Sequence, residues 1–292
     1  MKLPPLDYVC PATLAEAIAV LSAHGDTAKV IAGGQSLMPM LAFRLASPTL
    51  LVDIGRLPGL NRIEISEEGV ELGALVTWRD IERDARLAQA HPLLAAAIAH
   101  VAHYQIRNRG TVGGSLAHAD PAAEMPGIAI TCDAVVIIAG PEGTRTVPAD
   151  QFVLGGLSTI LDHDEIVTGV RLPAWPKPRR WAFEEFARRR GDFALAGVAV
   201  FYDRDAQGLI RNAHVGVIGV ADRPLRLTVV EALLDGQHLT ADLVFAAAER
   251  ARASVDPSDD IHAEAAYRRD LVGVLLERAL ARAGDLTLAE AA

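Results

Sequence analysis

Arg107-Asn-Arg-Gly-Thr-Val-Gly-Gly-Ser115-Leu-Ala-His-Ala-Asp120-Pro-Ala-Ala-Glu124 is the stretch on which the reading of this chain turns. Gly110, Gly113 and Gly114 crowd together, with Arg107 and Arg109 before them and the carboxylates of Asp120 and Glu124 after. Without a Cβ at those three positions the backbone can approach an anionic ligand closely. A second stretch of the same kind, Ala32-Gly-Gly-Gln-Ser36-Leu37, lies well upstream. Either Gly-Gly pair alone reads as a tight turn. Two of them around one ligand read as a pair of anion-binding nests for a diphosphate, with Ser36, Thr111 and Ser115 adding hydroxyl donors.

Several better-known phosphate and acyl-transfer motifs are absent. Neither stretch is a G-x-G-x-x-G or a G-x-x-x-x-G-K-[ST], and the lysine-poor surroundings would leave the γ-phosphate of a nucleoside triphosphate without its usual partner. Gly34-Gln-Ser36-Leu-Met does not make a nucleophile elbow.

Composition sets the outer bounds. A chain of 292 residues, 51% apolar and 22% charged, is ordinary for a soluble globular protein and long enough for two domains. A net charge of −9 argues against nucleic acid, whose phosphates are held by clustered Lys and Arg. The only cysteines, Cys10 and Cys132, form no CxxC, so this chain alone cannot build an iron–sulfur cluster or a zinc ribbon. The start, Met-Lys-Leu-Pro-Pro, lacks the pattern of a signal peptide, and no apolar run reaches about eighteen residues. A soluble, cytoplasmic protein without a membrane span is expected.

Taken in order, Thr13-Leu-Ala-Glu16 reads as a capping box opening a helix that Gly25 closes. The β-run from Lys29 delivers the chain directly into Gly33-Gly34, and Pro39 keeps 37–45 from being one long helix. Thr49–Ile54 reads as a strand, and 62–65 with 70–76 as a hairpin. A helix over 78–89 capped by Thr77 and an alanine-rich one over 92–103 follow, the latter running straight into the organising stretch. A 121–130 helix and strands at 134–139, 145–147 and 165–172 complete this part. Pro173-Ala-Trp-Pro176-Lys-Pro178 is the clearest linker, since prolines leave sheet interiors and resist helix. Beyond it, three β-runs (181–187, 194–202, 213–220) precede three helices (227–234, 241–253, 264–283), an α+β pattern.

At this point three segments carry a family resemblance. Ala32-Gly-Gly-Gln-Ser-Leu-Met-Pro-Met, Gln105 through Glu124, and Arg190-Gly-Asp-Phe-Ala-Leu-Ala-Gly resemble the FAD-binding medium subunit of molybdenum hydroxylases, the carbon monoxide dehydrogenase and xanthine dehydrogenase family. Glu264-Ala-Ala-Tyr-Arg-Arg-Asp is similar to that family's second domain, so the resemblance covers nearly the whole chain. It implies an α+β fold: a two-lobed FAD-binding domain of the vanillyl-alcohol-oxidase/PCMH type over 1–176, with two α/β lobes at about 1–57 and 58–176. A small carbon monoxide dehydrogenase flavoprotein-like domain over 177–292 would follow.

The resemblance also implies site residues and partners. Ala32, Gly33, Gly34, Gln35, Ser36 and Leu37, with Thr111, Val112, Gly113, Gly114 and Ser115, would wrap the FAD diphosphate and ribityl chain. Glu124 falls where the family places an acidic ligand of the cofactor, and Leu161 matches an apolar position near it. The flavin is the redox group, so no side chain of this protein is singled out as catalytic. Molybdopterin in a large partner subunit and two [2Fe–2S] clusters in a small one would feed electrons to the flavin, which would pass them to NAD, a quinone or oxygen. The assembly would be a heterotrimer or a dimer of heterotrimers, a heterohexamer. Two other readings stay open: a stand-alone flavin oxidase or reductase with its own substrate pocket, and a non-redox nucleotide-binding protein.

Other features read more plainly. His100, His103 and His118 are helix-end histidines rather than a metal site. His118 and Asp120 read as flavin-edge groups or as a seam toward an electron donor, and Phe193 lies in a segment that approaches the flavin in some relatives. Arg188-Arg-Arg190 is a solvated face, or a contact to an acidic subunit or to the cofactor. Asp53 is a turn residue or a helix-entry acceptor, and Trp175 packs across the domain seam.

Overall fold

The computed structural model describes residues 3–287. The first residues of the amino-terminal reading and the last of the second domain lie outside these. In the first lobe, β1 (Asp7–Val9), β2 (Ala28–Ile31) and β3 (Leu50–Asp53) form a parallel sheet in the order β1-β3-β2. Helix α1 (Leu14–His24) crosses from β1 to β2 and buries Ala17 and Leu21 against Val52. Thr13 caps it, but Glu16 accepts from the N–H of Ala12 at 2.7 Å rather than from that of Thr13, so the box is closed one residue early. The short α2 (Leu37–Ala42) follows the first glycine stretch and ends soon after Pro39. Asp53 does serve as a turn acceptor, taking the Gly55 N–H at 2.7 Å and the Tyr8 hydroxyl.

The second lobe departs from the expected α/β pattern. Its sheet, β4 (Ile63–Ser66), β5 (Gly69–Gly73), β6 (Val135–Gly140), β7 (Gly143–Pro148) and β10 (Ile166–Pro173), is antiparallel throughout, ordered β4-β5-β10-β6-β7. Between β5 and β6 lie the helices. The single helix expected over 78–89 is two, α3 (Trp78–Arg83) and α4 (Ala85–Ala90), because Asp84 turns extended and spends its side chain capping Arg86. The alanine-rich helix also stops early: α5 (Pro92–Ile98) is followed by a turn with Ala102 at φ 41 and by α6 (Tyr104–Arg107). Then α7 (Val112–His118) and α8 (Glu124–Thr131) pack on the sheet. A short α9 (Ala149–Phe152) and the small hairpin of β8 (Val153–Gly155) and β9 (Ser158–Thr159) were not read from sequence.

After the proline-rich connection, β11 (Arg180–Phe186), β12 (Ala196–Arg204), β13 (Ile210–Ile218) and β14 (Leu225–Arg226) make an antiparallel sheet. One face is covered by α10 (Thr228–Leu234), α11 (Ala241–Arg252) and the long α12 (Ala265–Gly284). The other face belongs to the first domain's core, which includes Phe183, Ala199, Phe201 and Ile218. Trp175 does pack across this seam, its ring centroid 4.5 Å from His91 and 5.2 Å from Phe201. Arg179 lies over both Trp175 and Phe201 while pairing with Asp203 at 2.9 Å, so its charge is satisfied where it is half-buried. Among the described residues no helix is long and apolar enough to cross a membrane.

Candidate functional site

The two glycine stretches meet. A Cβ on Gly33 would stand 2.0 Å from the carbonyl oxygen of Arg109, a separation only glycine permits. The first stretch follows the carboxyl end of β2, where parallel sheets commonly carry their ligands. Gly34 takes φ 73, and Gln35 holds the turn by donating its side-chain amide to the Gly33 carbonyl at 3.0 Å. None of the N–H groups of residues 33 to 36 donates to a protein acceptor among the described residues. Those amides can therefore serve an anion.

The second stretch is a helix start and not a nest. Thr111 is the N-cap of α7 and accepts the Gly114 N–H at 3.1 Å, and the Ser115 N–H goes to the Thr111 carbonyl at 3.0 Å. Val112 donates to Val76 at 2.9 Å and Gly113 to Ala74 at 2.9 Å, continuing the bridge between Thr77 and Thr111. All four amides are thus consumed inside the protein, which corrects the expectation that they cradle a diphosphate. The glycines have another task. A Cβ on Gly113 would lie 2.4 Å from that of Ala74, whereas one on Gly114 would meet only the capping hydroxyl of Thr111. Gly114 and Ala117 are exposed, and Ser115 and His118 half-buried, leaving an open ridge beside the first loop.

The other predicted residues lie beyond the two stretches. Leu161 is half-buried against the main core, just past β9, which packs on α7. Ser22 donates to Asp164 at 2.8 Å, tying this segment back to the first lobe. Glu124 opens α8, beyond the seven residues of α7, a helix length of roughly 10 Å. Ala119 turns the chain there at φ 52, Asp120 accepts the Ala122 N–H at 2.9 Å, and the Pro121 carbonyl accepts from Gly219 of the second domain. Glu124 therefore sits at the domain seam, separate from the glycines. Loss of water around its carboxyl pushes it up to about 7.

Arg107 is structural. It donates to the carbonyls of Val101 and Ala102 at 3.0 and 2.8 Å and pairs with Glu82. Arg188, Arg189 and Arg190 are exposed, and Phe193 is 66% exposed on the same loop. That loop leans on the first domain, since a Cβ on Gly191 would lie 2.4 Å from His103. Sequence reasoning missed Arg268, which is buried and donates to the carbonyls of Leu195 and Gly219 at 2.7 and 2.8 Å, holding the end of that loop. It also missed Glu185, although Trp181, Phe183 and Glu185 fall at strand spacing on one face of β11.

The arrangement is matched by known proteins along its length. The model of the FAD binding domain in molybdopterin dehydrogenase matches residues 4–175. The chain belongs to this family. The model of the carbon monoxide dehydrogenase flavoprotein C-terminal domain matches residues 181–283. This member of the molybdopterin dehydrogenase family is 41% identical to the nicotine 6-hydroxylase medium subunit of Paenarthrobacter nicotinovorans, over 98% of this chain and 100% of the relative. It is 37% identical to the carbon monoxide dehydrogenase medium chain of Hydrogenophaga pseudoflava, over 95% of this chain and 96% of that one. Among solved structures, that organism's carbon monoxide dehydrogenase superposes with a TM-score of 0.94 at 38% identity, covering 97% of this chain and 98% of its own. Quinoline 2-oxidoreductase from Pseudomonas putida 86 gives 0.93 at 37% identity, covering 98% and 99%. The family member described here is an FAD-binding oxidoreductase subunit of the molybdenum hydroxylase type.

Proposed function

We propose that this chain is the electron-transferring FAD subunit of a heteromeric molybdenum hydroxylase, assembled with a large molybdopterin subunit and a small subunit bearing two [2Fe–2S] clusters. The observation that carries the reading is the succession of the two family models along one chain that spans the full length of medium subunits. FAD, when bound, supplies the redox chemistry, taking electrons from the partner's clusters and giving them to NAD, a quinone or oxygen.

This chain's own residues fit such a group. The free amides of residues 33 to 36 suit the diphosphate, with the Ser36 hydroxyl beside them. Ala32 and Leu37 flank that loop. Gly114 and Ser115 offer α7 as an open ridge along which the cofactor can lie, Thr111, Val112 and Gly113 build that ridge, Leu161 follows β9, which packs on α7, and Glu124 opens the next helix at the domain seam. The domain boundary is placed between Pro176 and Lys177, in the connection from β10 to β11. Location in the cytoplasm, and a heterotrimer or its dimer, belong to the same proposal.

The test is to purify the chain with and without its co-expressed partners and to follow the flavin absorbance on adding reducing substrate. Bleaching only in the assembled complex is expected. Bleaching of the isolated chain by a substrate of its own would overturn the assignment, and a colourless chain that takes up no FAD would do so more directly.

A further inference from the structure

Arg268 is buried in the first turn of α12, where a cation faces the positive end of the helix dipole. Local helix preference does not put it there. Its two terminal nitrogens hold three partners: Nη1 donates to the carbonyls of Leu195 and Gly219 at 2.7 and 2.8 Å, and Nη2 donates to Asp260 at 2.6 Å. Asp260 is fixed in turn, since its other carboxyl oxygen accepts the N–H groups of His262 and Ala263 at 2.7 and 2.9 Å. The guanidinium therefore ties the residue before β12 to the residue after β13. Gly219 makes that reach possible: it takes φ 75, and a Cβ there would lie 2.8 Å from the Ala194 carbonyl oxygen.

From Gly219 the chain runs as a strut into the first domain. The Gly219 N–H donates to the Pro121 carbonyl at 2.9 Å, in the turn that joins α7 to α8. Further along, Arg223 Nη1 donates to the carbonyls of Val153 and Asp150 at 3.0 and 3.3 Å, at the base of the β8–β9 hairpin. Between these anchors Asp222 covers the hairpin turn, its carbonyl oxygen 3.4 Å from where a Cβ on Gly156 would stand. The hairpin closes the circuit, with the Leu157 N–H donating to the Ala119 carbonyl at 3.0 Å. The exit of α7 and the hairpin are thus bonded to each other, and both are bonded to residues 219–223. The hairpin also packs on α7 through β9, the helix whose exposed Gly114 and Ala117 form the open ridge. Neither domain contains this arrangement by itself.

We propose that Arg268 is a positioning residue for the cofactor site: from the second domain it anchors the strut 219–223, and through it sets the exit of α7 and the β8–β9 hairpin against which FAD lies. The inference rests on the FAD reading, because the ridge of α7 is its link to the cofactor. A binding surface holds its shape only when the elements that carry it are locked by a second layer of contacts. Here that layer belongs to the other domain. Arg268 itself touches no cofactor; without it Gly219 and Leu195 lose their common donor, and the turn at Pro121 is free to shift with α7.

The experiment titrates FAD into four full-length apoproteins, well below their melting temperatures, and reads affinity from flavin fluorescence. They are the natural chain, Arg268→Met, Arg268→Lys and Leu276→Ala. Leu276 is buried in the core under α12, so its truncation lowers the melting temperature without touching the strut. Arg268→Met should weaken FAD by about thirtyfold, the scale of a lost charge-assisted clamp. Because one nitrogen, Nη1, serves both carbonyls, a lysine ammonium can replace it while giving up Asp260, and Arg268→Lys should stay within about fivefold of the natural chain. Leu276→Ala should bind FAD like the natural chain. Equal weakening in Arg268→Met and Leu276→Ala would overturn the inference, since stability and not position would then set the affinity. Failure of Arg268→Lys to recover more than Arg268→Met would overturn it too. FAD bound equally by the natural chain and Arg268→Met sinks the positioning role alone, whereas no FAD uptake by the natural chain sinks the cofactor reading. If Arg268→Met does not fold, Arg223→Met, which releases the other end of the strut, takes its place with the same expected loss.

Discussion

In the loop after β2 the amides of residues 33 to 36 are free, while at the start of α7 every amide from Val112 to Ser115 is bonded within the protein. Both stretches contain a Gly-Gly pair, yet the glycines do different things. In the first loop, Gly34 supplies a left-handed turn that points backbone donors outward. In the second, Gly113 lets a helix press against Ala74, and the absent Cβ of Gly114 keeps the helix flank low. One region donates hydrogen bonds and the other makes room. A glycine-rich sequence therefore does not by itself imply amide ligation of an anion, because a helix N-terminus with an internal cap has already used its donors.

Four substitutions would break or sharpen that contrast. The largest effect is expected from Gly33→Ala, because a Cβ 2.0 Å from the Arg109 carbonyl must push the two stretches apart. A loss of about 3 kcal/mol in unfolding free energy is expected, with no FAD retained on gel filtration. An unshifted denaturation midpoint would mean that the stretches do not depend on each other. Gly114→Val should separate room from stability: with only the Thr111 hydroxyl nearby, the chain should fold, but FAD affinity should fall by about a hundredfold, roughly 2.7 kcal/mol. Titration of the apoprotein with FAD reads this, and unchanged affinity would remove α7 from the site.

Smaller effects test the donors. Thr111→Val removes the N-cap of α7 and should cost about 1 kcal/mol of stability in urea, with FAD affinity following only as the helix frays. Ser36→Ala should leave the melting temperature alone and weaken FAD by about fivefold, the value of one hydroxyl hydrogen bond near 1 kcal/mol. If Thr111→Val weakened FAD more than Ser36→Ala without loss of stability, the division of labour between the stretches would be reversed.

The order of strands and helices was largely legible, because most segments obey their own periodicity and end at glycine or proline. Legibility failed where a side chain competed with the pattern. Asp84 broke a helix that the apolar spacing at 78–89 would have continued, since its carboxylate caps the next helix more favourably than it sits within one. The parallel or antiparallel sense of the second sheet was not legible either, because it depends on β10 inserting between β5 and β6, strands distant in sequence. At the candidate site, Ala32 to Leu37 and Thr111 to Ser115 were singled out from glycine spacing and resemblance, and the structure brings the two stretches together. Arg268 and Glu185 were not, since one arginine of an Arg-Arg pair in a helix and one glutamate of a Glu-Glu pair in a strand look like surface residues until tertiary packing buries them.

By itself, then, the amino-acid sequence determined the family and the two-domain plan, and it singled out the segments proposed to approach the cofactor, because glycine positions, caps and prolines act locally and leave local signatures. Tertiary structure alone decided which amides remain free and which charges meet. Hydrogen bonds such as those from Val112 to Val76 and from Gly113 to Ala74, and ion pairs such as that of Arg107 with Glu82, join residues distant in the chain. Their energies depend on the exclusion of water, which exists only once the lobes and domains have closed on one another.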